Sequence, residues 1–232
     1  SADGSVVVGT SGSGFGSEVF RWTSGGGMVG LGDLPGGLFQ GFTFGVSGDG
    51  SVVVGYSHSA SGYEAFRWTS GGGMVGLGDL PGGSFSSRAR DVSDDGSVIV
   101  GQGKGASGDE AFIWDSTNGM QSLQVVLEGQ LGLDLTGWTL KRAYGVSADG
   151  TTIVGWGINP EEFTEAYIAV IPGLGGCLAD ITGDGTVNVT DLLSLLGAWG
   201  SCPAPCPPDI NADGTVNVTD LLDLLGAWGS CP

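Results

Sequence analysis

The stretch SGDGSVVVG at residues 47–55 decides the fold, because the chain carries it four times. It returns as SADGSVVVG at 1–9, SDDGSVIVG at 93–101 and SADGTTIVG at 147–155, at spacings of 46, 46 and 54 residues. Asp-Gly is a strong tight-turn signal, and the β-branched run that follows reads as a short strand. Working outward, FTFGVS, ARDVS and AYGVS precede three of the turns and supply the partner strand of each hairpin. On the other side lie EVFRW (18–22), EAFRW (64–68), EAFIW (110–114) and EAYIA (165–169). Beyond these comes GMVGLGDLPGG at 27–37 and 73–83, which decays to GMQSL at 119–123.

A copied unit of about 46 residues with four short strands is the blade of a β-propeller, with a β-solenoid as the competing repeat architecture. Phe20, Trp22 and their copies, which include Trp68 and Trp114, are then expected to pack between blades. The first turn has no strand before it, and the last copy stops after EAYIAVIP. The count is therefore about fourteen strands, two short of four full blades. Either residues precede Ser1, or the terminal sheets carry open edges that invite strand addition. Ser1 is neither Met nor the start of a signal peptide, which suggests a processed or partial chain.

Composition narrows the function classes. The chain has 232 residues, 48 of them Gly, and 25 acidic against 7 basic residues for a formal net charge of −18. That balance speaks against a nucleic-acid binder, whose footprint is a basic patch. The glycine follows no collagen-like period, and 40% hydrophobic content with seven Trp supplies core material. No apolar run approaches the roughly 20 residues of a membrane-spanning helix.

Residues 1–172 resemble the extracellular HAF-repeat family of bacterial secreted proteins, through the VSxDGSVVVG, EAFRW and GLGDLPGG motifs. GLDLTGWTL at 132–140, followed by AYGVSADGTTIVGWG, resembles the family's closing segment. The resemblance implies a secreted repeat protein and little more.

Composition changes at Cys177, after a Gly-rich linker at 173–176. Neither Lys nor Arg follows, and residues 179–203 match 208–232 at 21 of 25 positions. Each copy carries an EF-hand-like loop. Asp180, Thr182, Asp184, Gly185, Thr186, Asn188 and Asp191 occupy loop positions 1, 3, 5, 6, 7, 9 and 12 of the first. Asp209, Asn211, Asp213, Gly214, Thr215, Asn217 and Asp220 occupy them in the second. Ca²⁺ takes about six to eight hard oxygens, and such a loop turns alternate side chains inward while Gly at position 6 makes the sharp turn. Two Ca²⁺ ions are therefore expected. Position 12 is Asp rather than Glu, one methylene shorter, and Thr182 at position 3 makes the first site the weaker.

TDLLSLLGAWG and TDLLDLLGAWG follow the loops. Leu192, Leu195, Leu196 and Trp199 fall on one face at helical spacing, as do Leu221, Leu224, Leu225 and Trp228. The two Trp are expected in the core. Loop and helix in tandem closely resemble a type I dockerin over 177–232, and the cysteines match a Cys-bearing dockerin-like variant. The resemblance implies a partner surface at loop positions 10 and 11, here Val189, Thr190, Val218 and Thr219, and a cohesin-like receptor. Val at position 10 departs from the commoner Ser or Thr, and the basic residues often found later on the helix are absent.

Internal symmetry pairs Cys177 with Cys202 and Cys206 with Cys231, each bridge worth roughly 3 kcal/mol by chain entropy. Zinc is the competitor, but no His is near and no CxxC spacing occurs. Disulfides place the chain outside a reducing cytosol.

Other signals carry less. GGGMVG at 25–30 and 71–76 satisfies GxGxxG but repeats with the blades and precedes no helix. Asn188 and Asn217 begin formal glycosylation sequons inside calcium loops. His58 reads as an exposed loop residue. Asp3, Asp49, Asp95 and Asp149 are explained as turn residues, and the recurrent Glu18, Glu64, Glu110 and Glu165 as scaffold. A catalytic pair would break the repeat symmetry; only Glu161, Glu162 and Asp134 do so among the acids singled out. Three functions follow. The first is a secreted, non-enzymatic protein attached through its calcium-loaded module to a cell-surface or extracellular partner. The second is an extracellular filament or structural subunit that joins copies of itself through open β edges and the C-terminal module. The third is a propeller carbohydrate-active enzyme.

Overall fold

A computed structural model describes residues 1–171, 179–182, 186–201, 206, 208–211 and 214–230. The chain is mainly β, and fourteen strands lie within 1–171. Two complete units are four-stranded antiparallel meanders. One comprises β4 (Gly36–Val46), β5 (Val52–Ser59), β6 (Gly62–Thr69) and β7 (Gly73–Gly76); the next comprises β8 (Gly82–Val92), β9 (Ile99–Gly105), β10 (Gly108–Asp115) and β11 (Gly119–Ser122). They are flanked by three-stranded units, β1 (Val6–Gly12), β2 (Ser17–Thr23) and β3 (Gly27–Gly30) before, and β12 (Thr139–Val146), β13 (Thr152–Ile158) and β14 (Thr164–Val170) after. Each strand falls on the motif that predicted it.

Each SxDG turn is wired identically. In the second copy the Asp49 carboxylate accepts from the Ser51 N–H at 2.8 Å and the Ser47 hydroxyl at 2.6 Å, while the Ser47 hydroxyl oxygen accepts from the Val52 N–H at 3.0 Å. Gly50 sits at φ +73°, where an added Cβ would also lie 2.4 Å from Val6 of the preceding unit, so no other residue fits there. The second residue of each turn then bonds to the next unit. Ala2 N–H donates to the Gly48 carbonyl, Gly48 N–H to Asp94 and Asp94 N–H to Ala148, at 2.9, 3.0 and 2.9 Å. This backbone relay ties all four units together at one end.

Apolar faces do the rest. One core lies at each junction between neighbouring units: Val19 with Leu34, Val53 and Phe66; Val52, Val54 and Leu80 with Ile99 and Phe112; and Val98, Val100 and Ile113 with Leu140 and Ile153. Phe66 and Phe112 are fully buried, each worth about 1.5–3 kcal/mol of hydrophobic stabilisation. Trp68 and Trp114 pack against these cores, whereas Trp22 on the first unit remains 37% exposed.

A helix the periodicity did not reveal, α1 (Leu123–Leu131), occupies the longer spacer between the third and fourth copies. It buries Leu123, Val126 and Leu127 in the last core and ends at Gly132 in the left-handed region, φ +63°.

The C-terminal segment contains α2 (Val189–Gly197) and α3 (Val218–Gly226). Among the described residues four two-residue strands accompany them: β15 (Thr186–Val187), β16 (Gly200–Ser201), β17 (Thr215–Val216) and β18 (Gly229–Ser230). β15 pairs with β18 and β16 with β17, so each repeat closes its ladder on the other. The shared core is Ala179, Val187, Leu195, Val216 and Leu224.

One expectation is corrected here. Trp199 and Trp228 are 50% and 49% exposed, and Leu196 and Leu225 nearly as much. Both helices stop after nine residues, at Gly197 and Gly226, so each Trp lies beyond its helix and off the expected stripe. Only Leu195 and Leu224, with partly buried Leu192 and Leu221, face the core.

Candidate functional site

In the C-terminal loops, Asn188 and Asn217 are the N-caps of α2 and α3. Asn188 Oδ1 accepts from the Thr190 N–H at 2.8 Å, and Asp191, three residues on, returns Oδ2 to the Asn188 N–H at 2.8 Å. Asn217 and Asp220 repeat the arrangement. This is a capping box with Asp in the place usually taken by Glu. The sequence analysis assigns Asn188, Asp191, Asn217 and Asp220 to loop positions 9 and 12 and misses that the Asn holds the cap. The N-x-x-D spacing was the available signal.

Asp191 and Asp220 are fully buried. The other Asp191 oxygen, Oδ1, accepts from both the Thr182 N–H and its hydroxyl at 2.9 Å, and the Thr182 hydroxyl also lies 3.4 Å from Asp180 Oδ1. Loop positions 1, 3 and 12 thus converge. In the second copy the Asn211 N–H reaches Asp220 Oδ1 at 3.2 Å, and Asp209 Oδ2 accepts from the Gly214 N–H at 2.8 Å. Burial pushes the Asp191 carboxyl upward, but the donors from Asn188 and Thr182 outweigh it and leave it below the usual range. An ionised carboxylate among loop oxygens is donor chemistry of the kind Ca²⁺ takes, although no three His, Cys, Asp or Glu side chains gather as a metal site among the described residues. Thr186 and Thr215 belong to β15 and β17, and their hydroxyls receive the amides of Asn188 and Asn217 at 2.9 and 3.1 Å. Asp184 and Asp213 lie outside the described residues.

Val189 and Val218 are each 56% exposed, and Thr190 and Thr219 stand beside them on the first helical turn. Cys206 is disulfide-bonded and packs against the core. Cys177, Cys202, Cys231 and the linker 173–176 lie outside the described residues.

In the repeat region the recurrent acids are scaffold. Glu64 Oε1 accepts from the Gly78 N–H at 3.1 Å, and Glu165 holds the Asn159 amide at 2.9 Å. Glu161 and Glu162 occupy the exposed β13–β14 turn, organised by Asn159 Oδ1, which accepts from the Glu161 and Phe163 N–H groups, with Glu162 at φ +65°. Asp134 is exposed and accepts from the Thr136 N–H. His58 is half-buried rather than exposed, its ring against Tyr63 and Nδ1 between Ser59 O and Leu38 N.

Sequence reading also missed a basic cluster. Arg88 and Arg90 on β8, Lys104 on β9 and Arg142 on β12 gather with Gln102, Asp109 and the rings of Tyr56, Tyr63 and Trp156. These residues sit where the copies differ, outside the recurrent motifs.

No family model and no curated protein matches the chain. Among solved structures, putative TolB from Agrobacterium tumefaciens is similar at 14% identity and a TM-score of 0.48, over 75% of this chain and 60% of that one. TolB from Acinetobacter baumannii follows at 15% and 0.44, over 72% of this chain and 41% of that one. The chain thus spans less than two thirds of either, and likeness at this distance carries no functional argument.

Proposed function

We propose that this chain is a secreted, non-enzymatic attachment protein, in which a dockerin-like module holding two Ca²⁺ ions tethers a propeller-like repeat domain to an extracellular protein partner. The observation that supports the reading is the pair of buried carboxylates, Asp191 and Asp220, each accepting the backbone N–H of the residue at position 3 of its loop, Thr182 or Asn211. Asp180, Thr182, Asp184, Thr186, Asn188 and Asp191 would hold one ion, and their counterparts from Asp209 to Asp220 the other. Bound calcium would offset the clustered acidic charge and order the first turns of α2 and α3. Val189, Thr190, Val218 and Thr219, exposed there in symmetry-related pairs, would form the partner surface. The disulfide at Cys206 supports an oxidising compartment.

Calorimetric titration of chelator-treated protein with Ca²⁺ tests this. Two sites are expected, one of them lost in Asp191→Ala and one in Asp220→Ala; absence of binding overturns the reading.

A second reading, self-assembly, is favoured by the terminal strands. Among the described residues β1 pairs only with β2 and β14 only with β13, and β14 exposes Ile168 at 74% and Val170 at 56%. Sedimentation velocity and negative-stain microscopy in millimolar calcium, then in excess chelator, separate the two readings. Filaments identify the partner as the chain itself, and a compact monomer in both conditions excludes it.

A further inference from the structure

Aligning the repeats by their own spacing isolates what is not scaffold. Across the second, third and fourth copies, Phe42 becomes Arg88 and then Arg142, and Phe44 becomes Arg90 and then Tyr144. On the neighbouring strand Tyr56 becomes Gln102 and then Trp156, while His58 becomes Lys104. Folding gathers these divergent positions on β8, β9 and β12. Five of the chain's seven basic residues, Arg88, Arg90, Lys104, Lys141 and Arg142, lie on these three strands of a protein whose net charge is −18. Such a concentration of like charge opposes folding unless something there uses it.

Internal compensation is incomplete. Asp109 meets Lys104 at 2.7 Å and Arg142 at 3.9 Å. Among the described residues, Arg90 meets the neutral Gln102 oxygen, at 3.3 Å, and the faces of Phe44 and Tyr144. Arg88 lies over Tyr56 and Tyr63, and Arg142 over Trp156. Among the described residues, the Nε atoms of Arg88, Arg90 and Arg142 are buried without a hydrogen-bond acceptor. Beside them is a cavity of about 250 Å³ lined by Ser86, Arg88, Gln102, Lys104, Asp109 and Arg142. It is smaller than the roughly 300–1,000 Å³ of pockets for larger organic ligands.

We infer that this cavity is a binding site for the oxyanion group, carboxylate, sulfate or phosphate, of a small ligand. Guanidinium forks from Arg88 and Arg142 grip such a group through paired N–H donors, and Lys104 adds a point charge. The aromatic faces hold the arginines in place before the ligand arrives. Asp109 is an internal competitor that occupies Lys104 and Arg142 when no ligand does.

Calorimetric titration of the full chain with glucuronate, inorganic sulfate and inorganic phosphate tests the site, with glucose as the neutral control. At least one anion is expected to bind, more weakly as NaCl is raised, and glucose not at all; the anion that binds identifies the chemistry. Arg88→Gln should weaken that binding at least about tenfold. Lys104→Gln, at a side chain 42% exposed and therefore safe for folding, should also weaken it. Asp109→Asn should strengthen it roughly two- to fivefold, because a competing charge is gone. Silence with all three anions overturns the inference. So does binding that survives Lys104→Gln unchanged, or that Asp109→Asn weakens, as a purely structural role for the ion pair would require.

Discussion

In residues 1–171 the Asp of each Asp-Gly turn lies at the surface and accepts bonds from its own turn, whereas in 179–230 the organising carboxylates, Asp191 and Asp220, are fully buried. The repeat region draws its stability from apolar junctions, with Phe66 and Phe112 entirely enclosed and a backbone relay joining the turns. Among its described residues the C-terminal module has two nine-residue helices and a core of five buried apolar residues. So small a core leaves polar groups to organise the structure, and a buried carboxylate is tolerable only when donors or a cation surround it. Similar turn chemistry therefore decorates one region and constitutes the other.

The largest way to break this comparison is Phe112→Ala, which should cost about 3–5 kcal/mol in the repeat region. Hydrogen exchange should register the loss across β5 to β10 while protection in α2 and α3 is unchanged. Next, Asp191→Ala should cost the calcium-free module about 1–2 kcal/mol, by removing the acceptor of the partly buried Asn188 and Thr182 N–H bonds. Thermal unfolding in chelator, followed at the module's Trp residues, checks it.

A smaller effect contrasts buried carboxylates within and beyond the module. Burial raises the Asp91 carboxyl above the usual range, only partly offset by the Val146 N–H it accepts at 3.0 Å. A raised folded-state value means its contribution is greatest below the unfolded carboxylate range near 4 and is lost as pH rises through the folded value. Asp91→Asn should therefore flatten the repeat region's stability as pH rises above about 4, measured by urea unfolding. Asp49 and Asp149, held below the usual range by the Ser47 and Ser147 hydroxyls, work in the opposite sense and favour folding above that range. The smallest effect is Trp199→Ala. At 50% exposure it should change stability by less than about 0.5 kcal/mol, where a core Trp would cost several.

Strand positions were legible because each copy repeats its turn and its β-branched run, so four weak signals reinforce one another. α1 was not, since its nine residues occur once and its buried Leu123, Val126 and Leu127 acquire meaning only against β10 and β12. The repeated loop and helix were legible from spacing, but the Trp stripe failed because periodicity continues past the point where Gly197 and Gly226 end the helices. Arg88, Lys104 and Arg142 escaped because they are distant in the chain and lie where the copies disagree.

Local chemistry, in the form of Asp-Gly turns, short strands and oxygen-rich loops, is written in consecutive residues, so those elements and their order follow from neighbours along the chain. Which copies touch is a different matter. The relay from Ala2 to Ala148, the exchange of short strands between the C-terminal repeats and the gathering of five cations depend on contacts between distant segments. Only the tertiary structure decided those, because burial and charge convergence are properties of packed surfaces rather than of neighbours along the chain.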